Sequence, residues 1–193
     1  MVNQRELMAK KKLSRKQILK KAAKIKLLLT DCDGVLTDTG TYYSAEGEVM
    51  KRFSIRDGMG VERLRKYADV ETGIVTGEAN GIVKKRAEKL KMTEIHLGIN
   101  YKDRTFKEIL ERRNLKSQEV AFMGDDSNDV TIMKLAGLTA CPSDATEFAK
   151  READIIVENK GGYGAFRDFA ELIIEAKTKK KFFRKDDDEI KKD

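Results

Sequence analysis

The chain has 193 residues, of which 40% are hydrophobic and 38% charged, and its formal net charge is +7. This length suits one domain with a buried core, and the high charged fraction indicates polar segments outside that core. No stretch approaches the ~18 apolar residues that span a bilayer, and the N-terminus lacks the apolar run of a signal peptide. Cys32 and Cys141 have no CxxC partner, which argues against a zinc site or a disulfide framework. We therefore expect a cytoplasmic protein.

Both ends of the chain are basic. Residues 1–26 hold ten Lys or Arg and one Glu, and residues 177–193 hold eight basic and five acidic residues. We assign residues 1–24 to a basic N-terminal extension, 25–176 to a folded domain, and 177–193 to a charged tail. Basic segments can bind nucleic acid or anionic membranes. A solvated helix or a frayed extension is the commoner case, so we expect no nucleic-acid partner.

Short apolar runs alternate with amphipathic stretches along the middle of the chain. In chain order, the pattern predicts a strand at 25–29, a hairpin of strands at 41–43 and 49–54, a helix that begins after residue 60, a strand at 72–75, a helix at 80–90, a strand at 95–97, a helix at 103–113, a strand at 120–123, a helix at 130–135, strands at 138–140 and 154–157, and a helix at 166–176. Such alternation predicts an α/β fold, with a parallel sheet covered by helices on both faces.

Acidic motifs follow two of the predicted strands. The first is Thr-Asp-Cys-Asp-Gly-Val at 30–35, and the second is Gly-Asp-Asp-Ser-Asn-Asp at 124–129. Ligands of open α/β sheets bind at the edge where the strands end, so carboxylates that are distant in sequence can meet there. Converging carboxylates bind a hard cation such as Mg²⁺.

Thr76, which ends a later strand, and Lys102, which lies before a helix, complete a set that suits a phosphoryl group. An Asp can serve as the nucleophile and form an aspartyl-phosphate. A second Asp two residues further on can protonate the leaving oxygen and then activate water. An ammonium and a hydroxyl can hold the remaining phosphoryl oxygens, since phosphoryl transfer needs mainly positioning and charge neutralisation.

These residues resemble, in order, the four motifs of the haloacid dehalogenase superfamily of phosphatases. The matching segments are residues 31–38, 74–77, Lys102 and 124–129. Residues 56–58 and 161–168 are similar to the small, capless branch that includes 3-deoxy-D-manno-octulosonate 8-phosphate phosphatase. The resemblance covers about residues 24–176.

The resemblance implies a Rossmann-like domain with a protruding β-hairpin, Mg²⁺ as cofactor, and a homotetramer in which a neighbouring subunit covers each active site. It assigns Asp31 as the nucleophile, Asp33 as the general acid and base, and Thr76 and Lys102 as phosphate-holding residues. The implied metal ligands are the carboxylates of Asp31 and Asp125 and the backbone carbonyl of Asp33, with Asp126 or Asp129 in support. The implied substrate pocket includes Ser54, Ile55, Arg56, Asp57 and Gly58, and the glycine-rich loop 161–164 would approach a neighbour's site.

Glu78 decides the predicted substrate. Octulosonate phosphatases usually carry Arg directly after the Thr-Gly of the second motif, where this chain has Glu78. Glu78, followed by Arg86 and Lys89 on the next helix, is similar to relatives that act on nine-carbon sugar acids of the sialic acid type. The favoured substrate is therefore a nonulosonate 9-phosphate, and the alternative is octulosonate 8-phosphate, a precursor of lipopolysaccharide. A charged helix face also accounts for Arg86 and Lys89.

Two alternatives of another class stay open at this point. A receiver-like phosphoacceptor also gathers Asp residues around Mg²⁺, but it lacks the second Asp that Asp33 supplies here. A nucleic-acid-binding module would use the basic N-terminal segment and would bind with a steep dependence on salt. The only histidine, His96, lies in an apolar strand, and we predict a structural role for it.

Overall fold

The computed structural model describes residues 13–179, so predictions for residues 1–12 and 180–193 lie outside the described part of the chain. The strands are β1 (Leu27–Thr30), β2 (Thr37–Ser44), β3 (Gly47–Phe53), β4 (Glu71–Val75), β5 (Glu94–His96), β6 (Val120–Met123), β7 (Leu138–Cys141) and β8 (Ile155–Ile156). The helices are α1 (Arg15–Ala22), α2 (Ile55–Ala68), α3 (Gly81–Lys89), α4 (Lys102–Arg113), α5 (Val130–Met133), α6 (Glu147–Glu152) and α7 (Ala165–Thr178). No described helix is long and apolar enough to cross a bilayer.

Six strands form a parallel sheet in the order β5-β4-β1-β6-β7-β8. The strand β1 lies between β4 and β6. The chain places β4 and β5 on one side of β1, and then β6, β7 and β8 on the other side. Such a reversal of strand order creates a crevice at the carboxyl ends of the strands. The predicted α/β fold with a Rossmann-like sheet is confirmed.

The helices cover both faces of this sheet because side chains alternate along each strand. Leu28 of β1 packs into a core with residues of α1, α2, α3 and α7. Its neighbours Leu27 and Leu29 point to the other face and pack with residues of α4, α5 and α6. The short run of leucines in β1 is therefore buried on both sides, which is typical of a central parallel strand.

The predicted hairpin forms from β2 and β3, which pair with each other in a separate two-stranded sheet. Several of its large apolar side chains are exposed in the single chain, among them Tyr43 at 73% and Met50 at 58%. The hairpin joins the end of β1 to the start of α2, so its base lies beside the carboxyl edge of the main sheet.

The helix α2 begins at Ile55, whereas the prediction placed its start after residue 60. Glycines at 58 and 60 led to that error, since glycine usually weakens a helix. Here they permit close packing. A Cβ at Gly58 would lie 2.6 Å from Nη2 of Arg86, and one at Gly60 would lie 3.2 Å from the Cα of Arg167 in α7.

Two short helices are absent from the predicted elements of the folded domain, although a solvated helix was one expectation for the basic N-terminal segment. The helix α6 follows β7, and α1 lies in the segment assigned to the N-terminal extension. The helix α1 packs on α7: Ala22 is fully buried and Ile18 lies against the core. Lys21 adds an ion pair with Asp154 at 3.1 Å. Part of the basic segment is therefore packed on the domain, and the domain boundary at residue 25 stays a prediction.

We predict that Gly73→Ala lowers the free energy of unfolding by roughly 1–3 kcal/mol, as expected of overpacking. Gly73 lies in β4, where an added Cβ would come 2.4 Å from the Cβ of Glu94 and 2.9 Å from its carbonyl oxygen. The matched control is Gly81→Ala at the start of α3, where an added Cβ meets nothing within 4 Å. Urea unfolding of both variants tests this, and equal stability of the two would contradict the packing described for β4.

Candidate active site

Three neighbouring strands of the sheet end in polar side chains at the same edge. Asp31 follows β1, Thr76 follows β4, and Asp125 lies two residues after β6. Backbone hydrogen bonds continue past the strand ends, from Asp31 to the carbonyl of Met123 at 2.9 Å and from Thr76 to that of His96 at 3.0 Å. A pocket of about 240 Å³ opens there, lined by Asp31, Asp33, Thr39, Thr76, Gly77, Glu78, Asp125, Asp126 and Asn128.

A buried lysine lies beneath this pocket. Lys102, the first residue of α4, places its Nζ 3.0 Å from Oδ1 of Asp31 and 2.7 Å from Oδ1 of Asp129. All three side chains are buried. The other oxygen of Asp129 accepts the backbone N–H groups of Asp125 and Asp126 at 2.8 and 3.3 Å. Asp129 therefore holds Lys102 and the acidic loop together, and Lys102 in turn positions Asp31.

Asp125 differs from Asp31 and Asp129 because one oxygen of its carboxylate lacks a hydrogen-bond partner. Its buried Oδ1 has no hydrogen-bond partner among the described residues. Gly34 allows this close approach: its φ is +82°, and a Cβ there would lie 2.0 Å from Oδ2 of Asp125. One carboxylate oxygen from each of Asp31, Asp125 and Asp129 lies within 4.8 Å of the others. A buried, unpartnered carboxylate oxygen beside other acids fits a hard divalent cation.

Burial and the negative charge of neighbouring carboxylates raise the pKa values of Asp31 and Asp125. Burial, followed by the charge of Asp129, raises the pKa of Asp31 to about 7, although Lys102 opposes the change. Burial, followed by the charge of Asp31, raises the pKa of Asp125 to about 8. Burial lowers the pKa of Lys102, but the charges of Asp31 and Asp129 outweigh it and raise that pKa. The site therefore carries an excess of negative charge that a cation would relieve.

Asp33 lies at the mouth of the pocket, and both of its carboxylate oxygens are occupied. The hydroxyl of Thr37 donates to Oδ1 at 2.9 Å, and Nζ of Lys51 donates to Oδ2 at 2.5 Å. Lys51 was missed by sequence reasoning, since it is one of many lysines. The only available signal was its position in the alternation of β3, two residues before the partly buried Phe53.

Of the predicted substrate residues, only Glu78 lines the pocket. Arg86 donates instead to the carbonyl of Ser54 at 2.9 Å and lies over the ring of Phe53. Lys89 is exposed on α3. The three residues on which the nine-carbon prediction rests are therefore not brought together in the single chain.

The segment 54–58 has structural contacts in this chain. Ser54 caps α2 and accepts the N–H of Asp57 at 3.3 Å. Asp57 is buried and accepts the N–H groups of Gly164 and Arg167 at 3.1 and 3.0 Å, so it caps the start of α7. Ile55 and Arg56 are exposed and Gly58 is buried inside α2. A substrate role for this segment stays a prediction.

The glycine-rich loop 161–164 packs against the chain's own first motif. The N–H of Gly162 donates to the carbonyl of Val35 at 2.9 Å, and a Cβ at Gly161 would lie 1.9 Å from the carbonyl oxygen of Gly34. Its predicted approach to a neighbour's site stays a prediction. His96 contacts Glu94 at 2.7 Å and does not line the pocket.

Comparison with known proteins places this site in a family. Residues 88–164 match the haloacid dehalogenase-like hydrolase model. The 3-deoxy-D-manno-octulosonate 8-phosphate phosphatase KdsC of Haemophilus influenzae is 32% identical over 163 residues, which cover 84% of this chain and 90% of that protein. KdsC of Escherichia coli K12 is 35% identical over 162 residues, which cover 84% and 86%.

A solved structure agrees with these relatives. The 3-deoxy-D-manno-octulosonate 8-phosphate phosphatase of Moraxella catarrhalis, in complex with magnesium ion, phosphate ion and KDO, superposes with a TM-score of 0.81 at 30% identity. The match covers 84% of this chain and 92% of that one. Our chain belongs to the haloacid dehalogenase superfamily, in the branch that contains the octulosonate 8-phosphate phosphatases. It is a phosphoric monoester hydrolase, and the acidic cluster fits Mg²⁺ as its cofactor.

We predict that, with a chelator present, the wild-type chain loses stability relative to Asp125→Asn as the pH rises from about 4 to 8. A carboxyl whose pKa is raised by folding holds its proton in the folded state after the unfolded chain has lost it, so stability falls between its ordinary pKa of 3.8 and the folded value of about 8. Melting temperatures of both proteins across this range test the sign.

Addition of Mg²⁺ should raise the wild-type melting temperature more at pH 8 than at pH 5, because deprotonated carboxylates bind the ion. Asp125→Asn should lose most of this increase. An equal response of the two proteins to Mg²⁺ would show that the ion binds elsewhere.

Proposed function

We propose that the chain is a Mg²⁺-dependent phosphatase that hydrolyses 3-deoxy-D-manno-octulosonate 8-phosphate through a phosphoryl intermediate on Asp31. One observation carries the proposal: the carboxylate of Asp31 lies in the pocket, held by Lys102 and next to the unpartnered oxygen of Asp125. The substrate class is supported by the relatives in Haemophilus influenzae and Escherichia coli, whose names give this ester.

In the first step, a carboxylate oxygen of Asp31 attacks phosphorus, and the bond from phosphorus to the ester oxygen breaks. Asp33 in its acid form gives its proton to that departing oxygen, so that the sugar acid leaves as an alcohol, and the resulting carboxylate accepts hydrogen bonds from Thr37 and Lys51. Lys102 orients Asp31, and the hydroxyl of Thr76 is available to hold a phosphoryl oxygen. Thr76 is suited to this because its oxygen accepts the N–H of Glu78 at 3.2 Å while its proton can point into the pocket.

In the second step, Asp33 accepts a proton from water, the water oxygen attacks phosphorus, and the bond from phosphorus to Asp31 breaks. Free phosphate leaves, and both carboxyl groups return to their starting state. The carboxylates of Asp31 and Asp125, with the backbone carbonyl of Asp33, would hold Mg²⁺, which supplies positive charge to the phosphoryl oxygens. A receiver-like phosphoacceptor or a nucleic-acid module has no support from the relatives.

The preference for a nonulosonate 9-phosphate is not supported. It rested on Glu78, Arg86 and Lys89, and only Glu78 lies at the pocket of this chain. The carboxylate of Glu78 lies 3.9 Å from Nζ of Lys51, so Glu78 forms an ion pair within the chain. The relatives favour the eight-carbon ester, which we adopt.

A homotetramer stays part of the proposal. The exposed apolar side chains of the hairpin and the start of α2 support it, since such surface is usually covered in an assembly. They are Tyr42, Tyr43, Val49, Met50, Ile55 and Met59. A neighbour seated on them would lie near the open mouth of the pocket, and activity would then fall on dissociation. A cytoplasmic location stays a prediction.

We predict that Asp31→Asn lowers kcat by at least about 1,000-fold with little change in melting temperature, because an amide oxygen is a poor nucleophile. Steady-state release of phosphate, with and without chelator, measures the loss. The matched control is Asp103→Asn, which should behave as the wild type, because Asp103 is a partly exposed residue of α4 that does not line the pocket. Substantial Mg²⁺-dependent turnover by Asp31→Asn would contradict the proposed mechanism.

We predict a kcat/KM at least about tenfold higher for octulosonate 8-phosphate than for a nonulosonate 9-phosphate, a difference of ~1.4 kcal/mol in transition-state binding. Both esters should be assayed side by side at saturating Mg²⁺. A reversed preference would restore Glu78 as a residue that selects the substrate.

A further inference from the structure

Lys51 is a buried ammonium group, which is energetically unfavourable, and the proposed mechanism assigns it no role. It belongs to the exposed strand β3, yet only 2% of its side chain is accessible. Burying an ammonium group is unfavourable unless it is paired and hydrogen-bonded. Its Nζ lies 2.5 Å from Oδ2 of Asp33, 3.7 Å from Oε1 of Glu48 and 3.9 Å from Oε2 of Glu78. The hairpin thus directs a positive charge at Asp33.

Asp33 has few other means of holding its orientation. Asp33 lies in the loop after β1, and its side chain is 30% exposed. Thr37 binds one carboxylate oxygen at 2.9 Å and Lys51 binds the other. Two donors on the two oxygens fix the plane of the carboxylate. Removal of Lys51 would leave Thr37 alone and would allow the group to rotate about its side-chain torsions.

The same lysine links the hairpin to the loop after β4. Glu48 of β3 accepts the side-chain N–H of Asn80 at 2.8 Å, and Asn80 caps α3 through the N–H of Ile82 at 2.7 Å. Glu78 approaches Lys51 from that loop, which also carries Thr76. Lys51 is thus the shared partner of acids from the first motif, the hairpin and the second motif.

We propose that Lys51 is a positioning residue that holds Asp33 in register with the phosphoryl group bound at Asp31. The inference rests on the proposed function, because Asp33 is there the group that exchanges protons in both steps. A misplacement of about 1 Å of a reacting group can cost roughly 100-fold in rate. Loss of Lys51 should therefore slow both proton transfers while the nucleophile Asp31, held by Lys102, keeps its place.

An activated aryl ester separates the two steps. With p-nitrophenyl phosphate the leaving group departs without a proton, so transfer to Asp31 needs little help from Asp33. Hydrolysis of the intermediate still needs Asp33 to take a proton from water. In Lys51→Met we therefore expect a rapid burst of about one nitrophenolate per active site, followed by slow turnover. With the alkyl ester of the sugar acid, the first step is slowed as well, and no burst of product should appear.

The experiment compares the full-length wild type, Lys51→Met, Lys51→Arg and the control Lys85→Met, each saturated with Mg²⁺. Lys85 lies on α3 with 85% of its side chain exposed. We expect Lys51→Met to lose roughly 100-fold in kcat for octulosonate 8-phosphate, to show a larger burst than the wild type with the aryl ester, and to keep its KM within a few-fold. Lys51→Arg, which still donates to Asp33, should recover part of the rate, and Lys85→Met should match the wild type.

Each other outcome is decisive. Equal rates for Lys51→Met and the wild type would overturn the inference, as would equal losses on both esters without a burst, which would indicate a purely structural role. A fall in melting temperature that Lys51→Arg repairs without restoring the rate would also overturn it. Absence of Mg²⁺-dependent turnover of either ester by the wild type would overturn the proposed function first, and the role of Lys51 with it.

Discussion

The site depends on the ion pairs that the buried Lys102 makes with Asp31 and Asp129. One buried ammonium group lies between the carboxylates of Asp31 and Asp129, and the carboxylate of Asp125 lies close by with a buried oxygen that makes no hydrogen bond to a described residue. Three carboxylates against one ammonium leave an excess of negative charge in a region of low dielectric constant. Burial, together with this excess of negative charge, raises the pKa values of Asp31 and Asp125. The arrangement costs stability and prepares the site for a divalent cation and a phosphoryl group.

The sheet supplies the rigid frame for that balance. Because β1 lies between β4 and β6, the residues that follow these strands meet at one edge although they are far apart in sequence. Gly34 allows the loop after β1 to touch Asp125, and Asp129 ties the loop after β6 to α4 through Lys102. The hairpin then reaches back over the edge and brings Lys51 to Asp33. The loops after β1, β4 and β6, the hairpin and the start of α4 thus meet at one pocket.

Sequence reasoning works best where a residue follows a buried strand. The strands that precede Asp31 and Asp125 are apolar runs, and a shorter apolar pair at 74–75 precedes Thr76, so both the existence of these strands and their shared edge can be predicted. Lys51 could not be identified in this way, because its partner is determined by how the hairpin folds over the edge. The start of α2 was misplaced because Gly58 and Gly60 serve close packing, which no local pattern reveals. The nine-carbon prediction rested on the residue type at Glu78, and no local pattern shows that Lys51 of the hairpin lies 3.9 Å from its carboxylate.

Identification of the phosphorylated residue during turnover tests the central claim most directly. The enzyme, mixed with octulosonate 8-phosphate and Mg²⁺, would be quenched within the first turnovers and treated with borohydride, which reduces an aspartyl-phosphate to homoserine. Peptide mass spectrometry then locates the homoserine. The account predicts it at position 31 in the wild type and nowhere in the enzyme without substrate. Homoserine at position 125, or full turnover with no modified carboxyl, would contradict the account.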